Sequence, residues 1–252
     1  MSDTILSILL KDRLVLGFSD QSKMRTELQN YVPDQWCWSS KFKSDDVTVL
    51  DHKKKKAIFY PRWSDGTAAI RGDRPLNRGR PAKYYWEVHF PERLFGTSVM
   101  IGVATKYCRL RADSYTNLIG EDEQGWALSH RGMIWNSGFG KQFCKPFEEN
   151  VKTTVGLLYD SRRGTLTYYK DGVELGVAFS GLETVKEELY PVVSSTAARI
   201  VAVLGDMSKF HYYNTLLDCC CDTILSRLNN SGDISCLPLP QSLQQYLVRY
   251  RD

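Results

Sequence analysis

Cysteine is the residue of this chain whose chemistry first suggests a reactive or metal-binding site. The 252-residue sequence contains seven cysteines, and three of them are adjacent at 219–221. Consecutive residues of a helix point about 100° apart, so these three thiols cannot converge on one metal ion. No C-x-x-C pair occurs either. The odd number and uneven spacing of the cysteines argue against a disulfide framework and favour a reducing compartment.

Histidine offers no better candidate for catalysis. The four histidines have no recognisable nucleophile or metal-ligand partner in the sequence, and no H-E-x-x-H, G-x-S-x-G or phosphate-loop string occurs. Cys108 and Cys144 could be nucleophiles in principle, but nothing around them distinguishes them from ordinary packing residues. The sequence therefore predicts a protein that is not an enzyme, with no catalytic residue, no metal and no cofactor.

Composition and charge narrow the class of protein further. A net charge of +4, with 25% charged and 42% hydrophobic residues, is ordinary for a soluble globular protein. No stripe of Arg and Lys interleaved with aromatic residues emerges, so direct binding to nucleic acid is not expected. The single basic block, Lys53–Lys56, is interpreted as a solvated loop between two strands, with a nuclear-import signal or an anion-binding patch as the alternatives.

The apolar segments do not predict a membrane protein. No run approaches the ~20 apolar residues of a membrane span. The N-terminal run Ile5–Leu10 follows an aspartate and precedes Lys11-Asp12-Arg13, which is poor signal-peptide architecture. We expect no membrane association and a cytoplasmic and/or nuclear location.

The cysteine-rich stretch at residues 215–224 has the spacing of a helix with two apolar stripes. Leu216, Cys220 and Ile224 recur every fourth residue and form the first stripe. The second stripe lies beside it and consists of Leu217, Cys221, Leu225 and Leu228. A short helix that is apolar over so wide an arc is not satisfied by one neighbour in its own small domain. We therefore expect one stripe to pack at home and the other to be free for a partner, with Asn214 as the N-cap.

Two further signals follow this stretch. In Leu237-Pro238-Leu239-Pro240 the prolines fix φ, which predicts an extended segment that presents its leucines without an ordering cost on binding. Four apolar or aromatic residues then recur at helical spacing and predict one more amphipathic helix. These residues are Leu243, Tyr246, Leu247 and Tyr250.

The chain before residue 205 has the pattern of a β-rich domain. From Trp36 onward, short apolar or alternating runs are separated by turn signals, and no helix-period window of useful length interrupts them. Asp171-Gly172 between two such runs predicts a type I′ hairpin. Many short strands with close turns predict an antiparallel β-sandwich. The predicted strands are 47–50, 57–60, 67–70, 84–90, 98–104, 125–129, 132–135, 154–159, 165–169, 175–179, 192–194 and 200–204.

We expect aromatic residues to fill the space between the two sheets of this sandwich. The residues expected there are Tyr85, Trp86, Phe90, Trp126 and Trp135.

Several short strings in this region occur in the order found in a known domain. They include Gly66-Thr-Ala-Ala-Ile-Arg-Gly72, Tyr85-Trp-Glu-Val88, Ile101-Gly-Val-Ala104, Gly125-Trp-Ala-Leu-Ser129, Gly164-Thr-Leu-Thr-Tyr168, Gly176-Val-Ala-Phe179 and Leu189-Tyr-Pro-Val-Val193. Together they resemble a SPRY (B30.2-type) domain, and with the C-terminal stretch they resemble the SPRY domain-containing SOCS box proteins. The strings Gly66–Arg71 and Ser194–Arg199 together are most similar to those of the family's third member.

This resemblance implies a mainly β chain, a bent antiparallel sandwich followed by a small α-helical SOCS box. The implied domains are an N-terminal extension at 1–30, the SPRY domain at 31–205 and the SOCS box at 206–252. In the family, SPRY loops grip a short, extended, Asn-rich segment of a target protein. The resemblance assigns this role to Tyr115, Thr196 and Ala197. The chain departs from the family's Arg-x-Pro-x-Ala pattern, where it has Tyr60-Pro-Arg-Trp-Ser64.

The SOCS-box resemblance also implies partners. It assigns elongin C binding to Leu216, Cys220 and Ile224, with elongin B as part of the same complex. It assigns cullin-5 binding, with the RING partner of cullin-5, to Leu237, Pro238, Leu239 and Pro240. The implied function is that of a non-catalytic substrate adaptor of an E3 ubiquitin ligase, which directs its target to proteasomal degradation. The alternative is a protein-interaction scaffold that elongin B/C only stabilises.

Overall fold

The protein is described from a computed structural model, which describes residues 31–76, 79–213, 216–225, 227–228 and 231–251. The chain divides into two compact units, Met1–His211 and Tyr212–Asp252. The predicted N-terminal extension, residues 1–30, lies outside the described residues. The domain bounds implied by the family resemblance stay predictions.

The first unit is built from short antiparallel strands. In chain order they are β1 (Val32–Pro33), β2 (Trp38–Lys43), β3 (Val47–Val49), β4 (Lys56–Phe59), β5 (Thr67–Gly72), β6 (Ala82–Phe90), β7 (Val99–Thr105), β8 (Arg111–Ala112), β9 (Gly125–Ser129), β10 (Met133–Asn136), β11 (Phe139–Gln142), β12 (Thr153–Asp160), β13 (Thr165–Lys170), β14 (Val173–Phe179), β15 (Leu189–Ser195), β16 (Ile200–Leu204) and β17 (Lys209–Tyr212). A short 3-10 helix, Leu182–Thr184, precedes β15.

The strands form two sheets. One has the order β14-β13-β12-β6-β16-β4-β3, with β17 beside β6 and β1 beside β17. The other has the order β11-β10-β9-β7-β15-β5-β2, with β8 beside β5. The hydroxyl of Tyr168 in β13 donates a hydrogen bond of 2.9 Å to the carbonyl of Ile101 in β7, so it ties one sheet to the other. The predicted antiparallel sandwich is confirmed.

Every strand predicted from the sequence is present, with its ends shifted by at most three residues. The structure adds β1, β2, β8, β11 and β17. Three of these lack the apolar alternation on which the prediction depends: β11 is exposed throughout, and β1 and β8 are two residues long. Lys53–Lys55 lie in the loop between β3 and β4, as expected for a solvated loop.

The expected Asp-Gly hairpin joins β13 and β14. Lys170 pairs with Val173, so Asp171 and Gly172 form a two-residue loop. Both have positive φ, 50° and 80°, as a type I′ turn requires. The hairpin prediction is confirmed.

The prediction that five aromatic residues share the space between the sheets is only partly right. Trp86 and Phe90 are each 1% exposed. Tyr85 belongs instead to a separate cluster with Tyr169, because neighbouring residues of a strand point to opposite faces. Trp126 and Trp135 are half-buried, and Trp135 packs against another separate cluster that includes Cys108.

The described part of the second unit contains two α-helices around a small apolar cluster. Helix α1 is Leu216–Leu225 and helix α2 is Gln241–Arg251, with a 3-10 helix at Ser231–Cys236 between them. Both predicted helices are therefore present. The predicted N-cap, Asn214, lies outside the described residues, as does Thr215. Within the described ranges, no helix is long and apolar enough to cross a membrane.

Candidate functional site

Three loops that are distant in sequence meet around Ser64, which lies between β4 and β5. The Tyr115 hydroxyl donates a hydrogen bond of 2.8 Å to the Ser64 carbonyl. The Ser64 hydroxyl donates one of 2.6 Å to the carbonyl of Thr196, a residue 132 positions away. The structure therefore brings together Tyr115 and Thr196, two of the residues that the resemblance assigned to the peptide site.

Among these residues, Tyr115 is the one that can meet a ligand directly. Its side chain is 54% exposed, whereas Thr196 is 3% and Ala197 is 6% exposed. An exposed aromatic ring, held in place through its hydroxyl, offers apolar contact area at little cost in conformational entropy. Tyr115 is thus the most accessible of the predicted contacts.

Thr196 and Ala197 fix the position of a neighbouring loop. The Thr196 hydroxyl accepts a hydrogen bond from the Ser98 amide and donates one to the Ser98 carbonyl, at 2.9 and 3.0 Å. Gly96 has a φ of +99°, and a Cβ there would lie 2.8 Å from the Ala197 Cβ. The structure shows that Thr196 and Ala197 have a packing role. That they contact a ligand directly stays a prediction.

His130 supports the same loop from inside the protein. The Val99 amide donates a hydrogen bond of 3.0 Å to His130 Nδ1, so this nitrogen must be unprotonated. Burial, together with the positive charge of Arg131, lowers the pKa of His130 below its ordinary value of 6.5. The imidazole is therefore a neutral structural acceptor in the folded protein.

We expect acid to destabilise the protein partly through His130. As pH falls through 6.5, the unfolded chain takes up this proton before the folded chain does, so the free energy of unfolding decreases. This loss grows as the pH falls from 7 to 5.5. Denaturant titrations of the wild type and of His130→Gln, which keeps a neutral acceptor, would measure it. Equal pH slopes for the two proteins would contradict this role.

Sequence reasoning missed an exposed tryptophan and a charged cluster next to Tyr115. Trp63 is 71% exposed. Arg111 forms ion pairs with Asp46, with Asp65 at 3.3 Å and with Asp113 at 3.2 Å. The departure of Tyr60–Ser64 from the family pattern was the available sequence signal, but charges from β3, β8 and their loops become neighbours only in the fold.

Helix α1 separates its two stripes only in part, because Leu217, in the stripe expected to pack within the protein, is 48% exposed. Cys221 is 2% exposed and forms a cluster with Ile234 and Leu247. Leu216 is 82% exposed, and Cys220 is exposed as well. Ile224 is half-buried and packs against the cluster of Cys221, Ile234 and Leu247, so it lies at the border between the two stripes. The elongin C contacts themselves stay a prediction.

The segment Leu237–Pro240 differs from the extended conformation that its prolines predicted. The Leu239 amide donates a hydrogen bond of 2.8 Å to the Leu237 carbonyl, so the chain bends at Pro238. Leu237 and Leu239 are half-buried against the cluster around Cys221, while Pro238 and Pro240 are exposed. The apolar cluster holds the leucines inward, and the prolines form the accessible surface.

Comparison with known proteins decides the family. The SPRY domain model matches residues 83–206. SPRY domain-containing SOCS box protein 1 of Bos taurus is 32% identical over 229 residues, which are 84% of this chain and 79% of that protein. The chain belongs to the SPRY domain-containing SOCS box proteins. SPRY domain-containing SOCS box protein 3 of Xenopus tropicalis is 33% identical over 224 residues, or 88% of this chain, and the chain spans 59% of that protein's length.

Solved structures agree on the fold of the first unit. The SPRY domain of human HERC1 superposes with a TM-score of 0.51 at 14% identity, covering 70% of this chain and 98% of that one. The TRIM65 PSpry domain gives a TM-score of 0.55 at 20% identity, covering 72% and 95%. The predicted mainly β SPRY fold is confirmed.

Proposed function

We propose that this protein is a non-catalytic substrate adaptor of a SOCS-box E3 ubiquitin ligase. Its C-terminal unit binds elongin C, and elongin B with it, while Leu237–Pro240 contact cullin-5 and its RING partner. Its SPRY loops hold a short Asn-rich segment of a target protein. The observation that carries the proposal is the exposure of Leu216 and Cys220, on a helix that packs Cys221 into an apolar cluster, in a member of this family.

The geometry of α1 suits a docking surface. A leucine that is 82% exposed on a helix contributes nothing to its own core, but it can add about 2 kcal/mol when a partner buries it. Cys220, one turn further along, is small and weakly polar, which permits close approach of a partner helix. The cluster around Cys221 fixes the helix before binding, so little ordering entropy is lost.

The proposal assigns no chemical step to this chain. Burial raises the pKa of the Cys108 thiol to about 12, with the nearby Asp122 as a second cause, and burial also raises the pKa of Cys144. Neither thiol is therefore poised as a thiolate nucleophile. Ubiquitylation proceeds because the adaptor holds target lysines near a charged conjugating enzyme, which raises their effective concentration. Such a complex works in the cytoplasm or nucleus, where the seven free thiols stay reduced.

Tyr115→Ala is expected to weaken binding of a target peptide about tenfold, because the variant loses the exposed ring at the centre of the proposed site. The melting temperature changes little, since the ring is 54% exposed. Calorimetry against a peptide captured from cells by cross-linking would measure the affinity. Tyr107→Ala removes a tyrosine that is 61% exposed elsewhere on the domain and serves as the matched control. Equal affinities for the wild type and Tyr115→Ala would place the site elsewhere.

A proteomic experiment tests the whole proposal. Cells that carry the wild type or Leu216→Ala are compared for ubiquitylated proteins, and a target is a protein that depends on Leu216. The alternative is a scaffold that elongin B/C only stabilises. That alternative holds if elongins and cullin-5 bind the wild type but no protein changes its ubiquitylation.

A further inference from the structure

A cleft of about 400 Å³ lies directly beside the Tyr115 loop. Asp45, Asp46, Tyr60, Trp63 and Asp65 line it, together with Arg62. Ser64, whose carbonyl accepts the Tyr115 hydrogen bond, stands between Trp63 and Asp65 in the chain. A segment bound at Tyr115 therefore passes next to this cleft.

The residues that line the cleft carry an excess of negative charge. Three carboxylates (Asp45, Asp46, Asp65) and one guanidinium group (Arg62) line it, which leaves two net negative charges in the lining. Arg111, outside the lining, pairs with Asp46 and Asp65, and the Lys43 ammonium donates a hydrogen bond to the Ser44 carbonyl beside Asp45. Asp45 is exposed and makes no ion pair or side-chain hydrogen bond within the described part of the chain.

The wall of the cleft also contains an unsatisfied polar group. Tyr60 is 2% exposed, and its hydroxyl has no hydrogen-bond partner among the described residues. Burial, and then the carboxylate of Asp46, raises the pKa of this hydroxyl to about 12, so it stays a protonated donor. The Tyr60 backbone has a φ of +44°, which is unusual for an aromatic residue. The Tyr60 amide donates a hydrogen bond of 2.7 Å to the Asp46 carbonyl, which stabilises this conformation. A buried donor without an acceptor costs about 1–3 kcal/mol.

Trp63 supplies the apolar side of the cleft. A tryptophan that is 71% exposed adds no core to the sandwich. Its ring face attracts cations, and its breadth matches the aliphatic stem of a lysine or arginine side chain. Carboxylates and an exposed indole in one cleft form an environment suited to a long cationic side chain.

We propose that this cleft binds a lysine or arginine side chain of the target segment, next to the part of the segment held at Tyr115. The proposal rests on the peptide-binding role of the SPRY loops given above. It specifies the substrate class as amide-rich segments that carry a nearby cation. Asp45 and Trp63 determine this preference.

A random peptide library displayed on phage and selected against the full chain tests the preference. Selected peptides are synthesised with and without Gln in place of each Lys or Arg, and then titrated. Asp45→Asn is expected to weaken the cationic peptide about two- to fivefold, more so at low salt, and to leave the Gln peptide unchanged. Trp63→Ala acts in the same direction. Glu174→Gln removes one exposed carboxylate from β14 as the matched control and changes neither titration.

Tyr115→Ala separates this inference from the proposed function. It is expected to weaken the cationic and the Gln peptide alike. If Tyr115→Ala does so but Asp45→Asn does not discriminate between them, the cation preference is wrong and the peptide site stands. If selected cationic peptides depend on Asp45 but not on Tyr115, the cleft stands and the placement of the amide site is wrong. Selection of no peptide overturns both.

Discussion

Leu216→Ala is expected to abolish co-purification of elongin C, and with it elongin B and cullin-5, without destabilising the protein. The side chain is 82% exposed, so its truncation leaves no cavity within this protein. A fully buried leucine at the centre of an interface is the kind of side chain whose loss costs 2 kcal/mol or more, about a thirtyfold loss of affinity. A pull-down from cell lysate and a thermal melt of the purified variant give both readouts.

Leu50→Ala is the matched control for this experiment. Leu50 lies in the loop after β3 and is 49% exposed, so the same substitution there removes an exposed leucine from the other unit. Elongin C retained by Leu216→Ala and Leu50→Ala alike would contradict the docking role of α1.

The double variant Pro238→Ala with Pro240→Ala changes the exposed residues of the bent segment and is expected to lose mainly cullin-5. Cullin-5 that survives the two changes would show that this segment is not its contact.

The β-sandwich could be predicted because its signals are local. Alternating apolar residues and the Asp171-Gly172 turn are properties of neighbouring residues, and β9 and β16 have the predicted bounds. The strand β11 could not be found in this way, because all four of its residues are exposed. It exists through its pairing with β10 across the turn at Ser137 and Gly138, which both have positive φ.

The two candidate surfaces differ in the same respect. The stripes of α1 follow from a period of 3.6 residues, so the sequence predicted that one would be buried and the other free. In Leu237–Pro240 the leucines face inward and the prolines face outward. This arrangement depends on contacts with the cluster that includes Ile234 and Leu247, and a rule based on neighbouring residues cannot predict such contacts. The hydrogen bonds through Ser64 join residues up to 132 positions apart. Only the family resemblance connected Tyr115 with Thr196, and nothing in the sequence connected either with Asp45.

A close approach of backbones in the second sheet is a further feature that sequence patterns do not reveal. Gly102 lies in the middle of β7, between β9 and β15, opposite Ala127 and Val192. A Cβ at Gly102 would lie 2.0 Å from the carbonyl oxygen of Trp126 and 2.7 Å from the Cα of Ala127. Both atoms belong to the backbone, so no side-chain rotation relieves the clash. The neighbouring strand would have to move.

Gly102→Ala is therefore expected to be severely destabilising for a change of one methyl group. Displacing β9 disturbs its pairing with β7, and that pairing positions His130 and the loop before β7. Since the Ser98 amide in that loop donates a hydrogen bond to Thr196, the proposed peptide site is disturbed as well. We expect a loss of about 3 kcal/mol in the free energy of unfolding, or roughly 6–12 °C in melting temperature for a chain of this size. Gly181→Ala, where φ is +87° and nothing lies within 4 Å, is the control and costs only about 1 kcal/mol through backbone strain. If calorimetry finds the two variants equally stable, β7 and β9 are not packed as closely as the backbone distance requires.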